Sequence, residues 1–520
     1  MIIKPENITT AYLGKNIAIE YAKDWGFEPL SYLAKCYFEK LGCTIVYFHS
    51  NPIILIKNKF KKTKICNTNT YSSPSLLQCI AWSIKSFFWT LKNYCLILIK
   101  TKNIFELHIK GVTIGDSIVA QSVRVSNQSP SQLRFDKFLF KSLIQGYLTF
   151  KYAEWLMVEK KVETLMLSHN MYCSSIFSRV ILKNGAKYLY VGKFPFSVIV
   201  DSKISSPYYP FILPLHKFDS LLIKEKEMVK NYLTQRVDTP KNILPYMKVD
   251  IESTKETKNS LNILELNKNP KNTINVCIFL HSFADALFIC GPDSFNDIWH
   301  WLTFTIENLL FYSQKKPINI LIKPHPNIFL NKDIKSTVLQ KDYLTYEYLE
   351  KLHQSNNKVK FIPASTSNIE LTKLPNFIAI THHGNVAPEL AFLGKPVIAS
   401  FHAPWKNCND FLITWKNKDD YADILNSLED CLKFQVCEES LLKFAYYYYL
   451  KFNKRSNGAL YADKLFRIAF DRNPLSDLEC QNMSNEVLDV FKTQSNKFTE
   501  GKDYFEQLIM ESIEFYLFQN

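Results

Sequence analysis

Two long stretches of this chain alternate short apolar runs with helix-length segments, and that alternation constrains the fold more than any other feature. In the later stretch INVCIFLHS, INILIKPHPN, VKFIP, FIAITHHG and PVIASF read as strands, and FNDIWHWLTFTIENLLFYSQ and PELAFLG read as helices between them. Apolar runs without polar alternation suit strands buried on both faces, as in a parallel sheet. Parallel neighbours need crossovers, and the helix-length pieces supply them. The earlier stretch has the same rhythm: TIVYFHS, FELHIKGVTIGD, TLMLSHN and KYLYVG as strands, with helices near Phe138 to Lys161 and at SSIFSRVILKNG.

The expected fold class is therefore α/β, with two Rossmann-like domains facing a cleft, followed by C-terminal helices. At 520 residues the chain is too long for one ordinary core, and a hydrophobic content of 47% suffices for two. The polar stretch 217–273 has no sustained apolar run and reads as a linker, with room for one helix. The expected division is 1–216, the linker 217–273, a second α/β domain 274–437, and helices with an acidic tail at 438–520.

The net charge of +14 accompanies abundant Lys, Asn, Ile, Phe and Tyr and only 13 Gly, a compositional bias that weakens it as a sign of nucleic acid. No recognition motif is visible, so no nucleic-acid partner is expected. Met1 to Lys110 carries 15 Lys and no Arg against 6 acidic residues, whereas Pro474 to Asn520 carries 3 Lys against 9. The 12 cysteines include no CxxC pair or metal-type spacing, and MIIKPENITTAYLGK has no signal-peptide pattern; reduced thiols in a cytoplasmic protein are the simplest reading. The apolar, aromatic segment 75–100 is interrupted by Lys85 and Lys92, which argues against a spanning helix. With KNKFKKTK upstream it reads either as an interfacial helix on an anionic membrane surface or as an aromatic core helix.

Three strand ends in the second half finish in polar residues. His281, Ser282 and Asp285 follow VCIFL; Lys323, His325 and Asn327 follow NILI; His382, His383, Gly384 and Asn385 follow FIAIT. In a parallel sheet these ends share one edge, where ligands bind. Gly384 allows a close approach or a positive φ, Asn385 suits a helix cap, and Pro388 fits the first turn. The helix start offers free N–H groups to phosphate, with Glu389 placed for sugar hydroxyls. Without a ligand the same turn is an Asn cap flanked by exposed histidines. In KPHPN, Lys323 and His325 sit in a proline-stiffened turn, suited to neutralising a diphosphate.

FLHSFADALF, WLTFTIENLL, INILIKPHPN and THHGNVAPELAFLGKPVIA resemble the donor-binding half of bacterial capsule and surface polysaccharide biosynthesis proteins, glycosyltransferases of the GT-B fold. GVTIGDSIVAQSVR and TLMLSHNMYCSSIFSRVILKNGAKYLYV resemble the acceptor-side half, so the likeness spans roughly Ile109 to Ala469 with gaps. It implies a nucleotide-sugar donor as substrate, with no separate cofactor, and a surface-glycan or lipid-linked acceptor. It also implies a location on the cytoplasmic side, peripheral to the membrane. Lys323 and His325 would contact the donor phosphates with the turn at His383, Gly384 and Asn385, and Glu389 would lie near the donor sugar or ribose. Asp116 is the candidate base for the acceptor hydroxyl, Asp285 its rival, and His169 and Tyr172 would line the acceptor side. The chain departs from the family's relatives in lacking an acidic-acidic-Gly triplet, which puts CMP-sugar donors in doubt, and in lacking any Asp-x-Asp. Metal-independent transfer is therefore expected, with no metal site. A polyol-phosphate transferase, a sugar-nucleotide 2-epimerase and a non-catalytic scaffold of the same fold are the alternatives.

Overall fold

The structure, a computed structural model, describes residues 13–20, 34–61, 72–167, 170–191, 197–200, 208, 219–238, 272–325, 328, 339–406 and 409–451, positions 36, 127 and 365 excepted. The chain divides into two compact units, the first taking Met1–Ser122 and Phe135–Pro210, the second Val123–Arg134 and Phe211–Lys451. The acidic tail lies outside the described residues.

The first unit contains β1 (Asn16–Glu20), β2 (Thr44–Phe48), α1 (Pro52–Lys61), α2 (Leu76–Leu98), β3 (His108–Ile109), β4 (Val112–Thr113), α3 (Gly115–Val125, its last residues counted with the second unit), α4 (Lys137–Glu159), β5 (Thr164–Leu167), α5 (Ser175–Lys183), β6 (Lys187–Val191) and β7 (Ser197–Val200). Its sheet runs β2-β1-β5-β6-β7; the first four strands are parallel and β7 is an antiparallel edge. Ile17, Ala18 and Ile19 of β1 and Leu165, Met166 and Leu167 of β5 are fully buried, as are Leu139, Leu143 and Leu156 of α4 and Ile176, Phe177 and Ile181 of α5. The run FELHIKGVTIGD, expected as a strand of this sheet, is instead the separate two-stranded hairpin β3–β4. Lys110 and Gly111 both take positive φ there and turn the chain after two residues. Gly115 then opens α3 where no side chain fits, because a Cβ would lie 1.8 Å from the Ile104 carbonyl oxygen.

The second unit contains α6 (Ile223–Asp238), β8 (Ile274–Phe279), α7 (Ile298–Tyr312), β9 (Ile318–Lys323), α8 (Leu339–His353), β10 (Val359–Phe361), α9 (Asn368–Thr372), β11 (Phe377–Thr381), α10 (Val386–Phe392), β12 (Val397–Ser400), β13 (Ile413–Trp415), α11 (Lys418–Asn426), α12 (Leu428–Cys431), α13 (Glu438–Ala445) and a π-helical turn, Tyr446–Lys451. All neighbours in its six-stranded sheet, β10-β9-β8-β11-β12-β13, are parallel. In order of appearance along the chain that is 3-2-1-4-5-6, the doubly wound Rossmann order, which reverses between β8 and β11. Every residue of β8, β9, β11 and β12 is buried, which is why these strands read as nearly continuous apolar runs; the two interruptions, Asn275 and Asn319, are bonded to each other at 2.9 Å.

Helix α6 lies within the stretch read as a linker, and buries Val229 and Leu233 with Lys230 paired to Glu438 at 2.8 Å. Val123–Arg134 is fastened inside the second unit. Lys341 Nζ donates to the carbonyls of Val123 (3.2 Å) and Arg124 (2.6 Å), Ser131 N to Thr345 Oγ1 (3.0 Å), and Leu133 N to Asp297 Oδ2 (2.7 Å). No helix among the described residues is long and apolar enough to cross a membrane.

Candidate functional site

At the point where the strand order of the second sheet reverses, β8 and β11 run side by side and release His281 and His382–His383 at the same edge. The imidazoles of His281 and His383 meet with ring centroids 4.3 Å apart. Next to β8, β9 ends on Lys323, whose buried ammonium donates to the Ala364 carbonyl at 3.2 Å and lies 5.9 Å from the Phe279 ring centroid. Pro324 stiffens the step to His325, which is close enough for His281 and Lys323 to act on its charge. Four nitrogen-bearing side chains from three separate strands thus converge, as the sheet topology requires of strand ends at such an edge.

Behind this cluster runs a chain of hydrogen bonds. Asp293 is buried and accepts from His382 Nε2 at 2.7 Å and from Ser400 Oγ at 3.0 Å. Burial alone would raise the Asp293 carboxyl, but His382 and Ser400 hold it below the usual carboxylate range. His382 Nδ1 faces His383 Nδ1 at 2.7 Å, and Trp301 packs edge-on against the His382 ring at 5.3 Å. One of the two Nδ1 atoms carries the proton of this bond and the other accepts it, which leaves Nε2 as the remaining nitrogen of His383. That Nε2 is buried and has no hydrogen-bond partner among the described residues. Buried polar atoms are rarely left so, and at a ligand-binding edge the orphan points to a missing partner.

The electrostatics are those of a site without its counter-ion. Burial, reinforced by His281 and His382, holds the His383 imidazolium well below the usual range. Burial pushes His325 down to about 4, with His281 and Lys323 adding to it. Burial also lowers His281 and the Lys323 ammonium. An anion placed among them reverses each of these shifts, because it favours the charged form of every group.

No family model matches the chain, and no curated protein matches it either. The site is therefore read from its own chemistry.

Gly384 follows the histidines, but its φ is not positive. A Cβ there would lie 2.8 Å from Thr381 Oγ1, so the close approach, not a left-handed backbone, calls for glycine. Asn385 stands at the N-cap of α10 yet makes no side-chain cap bond. Glu389 accepts from Arg236 Nε at 2.6 Å, and the guanidinium stacks on Tyr449 at 4.9 Å. Burial keeps the Glu389 carboxyl above the usual range although Arg236 and Lys323 pull it down. Asp285 pairs with Arg124 at 2.5 Å and acts on the charge of His281. Its backbone N–H donates to Ser282 Oγ (3.0 Å), and that hydroxyl donates to Asp342 at 2.5 Å. Asp342, buried and raised to about 6 chiefly by that burial, also accepts from Phe283 N at 2.8 Å and so orders the loop that carries Asp285.

In the first unit Asp116, 2% exposed, receives both arms of Arg179 at 2.6 and 2.7 Å. Tyr172 follows the end of β5 with φ +53°, and Ser175 three residues on meets Ser117 Oγ at 2.7 Å, so the segments carrying Asp116 and Tyr172 adjoin. His169 and Asn327 lie outside the described residues. Sequence reasoning missed Asp293, Asp342 and Arg236. Asp293 sits in GPDS, which reads only as a turn, Asp342 in a polar helix, and Arg236 in the stretch taken for a linker.

Proposed function

We propose that the protein is a glycosyltransferase of the GT-B class that transfers a sugar from a nucleotide-diphosphate donor to a glycan or lipid-linked hydroxyl. The observation that carries this reading is the buried, unpartnered His383 Nε2 at the strand-order reversal, ringed by His281, His325 and Lys323. In the reaction the bond from the anomeric carbon to the diphosphate oxygen breaks and its electron pair stays on the phosphate. The acceptor oxygen bonds to the anomeric carbon and gives up its proton. Lys323 and a protonated imidazole stabilise the charge that develops on the leaving diphosphate, in a site where burial makes such contacts strong. Of the two candidate bases, Asp285 suits the proton-accepting role better. Both carboxylates are paired with an arginine, but Asp285 is 51% exposed and acts on His281, whereas Asp116 is buried with both oxygens on Arg179.

The test is a thermal-shift screen at pH 7 against UDP, GDP, CDP, dTDP and CMP. A ligand that binds only the folded state stabilises it by about 2.7 kcal/mol at a hundredfold excess over Kd. One nucleoside diphosphate is expected to raise the melting temperature, and His383→Gln and His325→Gln to abolish the rise. No shift with any nucleotide, or a shift untouched by both substitutions, would overturn the assignment.

A further inference from the structure

Helix α2 exposes a wider apolar face than a helix surrounded by water usually carries. Its fully buried residues are Cys79, Ser86, Thr90, Asn93 and Ile97, three of them polar, with half-buried Trp82 packed on the Ile56–Cys79–Leu148 cluster and Trp89 on Tyr147 of α4 beside them. Ser86 Oγ donates to the Ile144 carbonyl of α4 at 3.3 Å, and Thr90 Oγ1 is buried without a partner among the described residues. The outward face is apolar. Leu77, Ala81, Ile84, Phe88, Leu91, Cys95 and Leu98 are all exposed and recur at alternating spacings of four and three, one continuous stripe down the helix. Leu77 is 79% exposed and Phe88 64%, and Leu76, Phe87 and Ile99 widen the stripe on its flanks. An apolar stripe of this length on a helix already packed against α4 on its other side calls for an apolar partner.

The charges around the stripe identify that partner. No Asp or Glu occurs between Ser75 and Lys100, and exposed Lys85 and Lys92, seven residues apart, line one edge of the apolar face. Exposed Lys57 of α1, which packs beside α2, and exposed Lys100 add to the same sign. A second copy of the helix packed antiparallel would bring lysine row against lysine row, and packed parallel it would offer the lysines no acidic partner. A layer of acyl chains under anionic headgroups satisfies both halves of the pattern, the side chains of Leu and Phe entering the layer and the lysines reaching its phosphates. The helix is not apolar enough to cross, so it lies in the plane of the surface.

We infer that the outward face of α2 is a membrane-docking surface for anionic lipid. The inference stands independently of the transferase reading, since its probe holds neither sugar nor nucleotide. The test is co-sedimentation of the full chain with vesicles of phosphatidylcholine alone and with phosphatidylglycerol added. Binding is expected to depend on phosphatidylglycerol. Phe88→Ser with Leu91→Ser is expected to weaken it roughly a hundredfold. Lys85→Gln and Lys92→Gln are expected to weaken it roughly fivefold each, with thermal unfolding unchanged, which separates docking from folding. Failure to bind phosphatidylglycerol vesicles would overturn the inference, as would binding indifferent to both pairs of substitutions. So would self-association in sedimentation velocity that the Phe88 and Leu91 substitutions abolish while vesicles bind nothing, which would give the face to a second copy.

Discussion

At His383 a proton becomes part of any anion's binding. The His383 Nε2 has no partner among the described residues, and a phosphate oxygen needs a protonated nitrogen there. Burial has already lowered His325 to about 4 and His281 and His383 below their ordinary values, so an anion that restores the charged forms takes up protons. Nucleotide affinity is therefore expected to fall as pH rises above neutrality, by up to about tenfold per unit for each proton taken up. Titration calorimetry in two buffers of different ionisation enthalpy measures that proton directly. Stability without ligand runs the other way. A folded-state imidazole depressed from about 6.5 leaves the unfolded chain binding more protons, so its contribution is complete above that value and is lost as pH falls towards 4. Asp342, raised to about 6, opposes this, since its contribution is lost as pH rises through that value. His325→Gln compared with the parent isolates the histidine part and is expected to flatten the acid side of the curve. The histidines and Lys323 were legible from the sequence because each closes an apolar run. The partners of the candidate carboxylates were not, because Asp116 with Arg179 and Glu389 with Arg236 are joined across 63 and 153 residues by contacts that no local pattern encodes.

The elements divide by burial. β8, β9, β11 and β12 could be read directly because burial on both faces leaves them nearly continuous apolar runs, broken inside only by Asn275 and Asn319; β10, half-buried at the sheet edge, was read too. β13 has only three residues and was missed, and so was β1, five residues ending in Glu20. The hairpin β3–β4 was misassigned because its apolar residues flank a positive-φ pair that reverses the chain. Helix α6 was allowed for only as one helix somewhere in the linker, because among charged residues Val229 and Leu233 form too narrow an apolar stripe to fix its place. The turn after β11 tests how tightly an element holds the site. Gly384→Ala brings a methyl to 2.8 Å from Thr381 Oγ1, itself buried and bonded to the Phe279 carbonyl at 3.3 Å, and is expected to cost roughly 1–3 kcal/mol. Denaturant unfolding measures it. Adding Thr381→Ala is expected to return part of the loss, a coupling that two unrelated defects would lack.

Each of the two units encloses its own buried sheet, so the molecule as a whole is expected to melt over a wider range than one two-state transition allows. Scanning calorimetry checks this, and a bound nucleoside diphosphate is expected to raise only the part of the profile that belongs to the unit carrying β8 to β13. The route of the chain has its own consequence during synthesis. Val123–Arg134 leaves the ribosome early, but the residues that hold it, Asp297, Lys341 and Thr345, follow much later. Translation covers the roughly 200 residues in between in about ten to forty seconds. For that interval the strap has no native place to go. The nascent polypeptide must keep those twelve residues waiting and uncommitted while their neighbours on either side already have β1, β2 and α4 to build with, so the order of emergence from the exit tunnel leaves the closing of this strap among the last steps of folding.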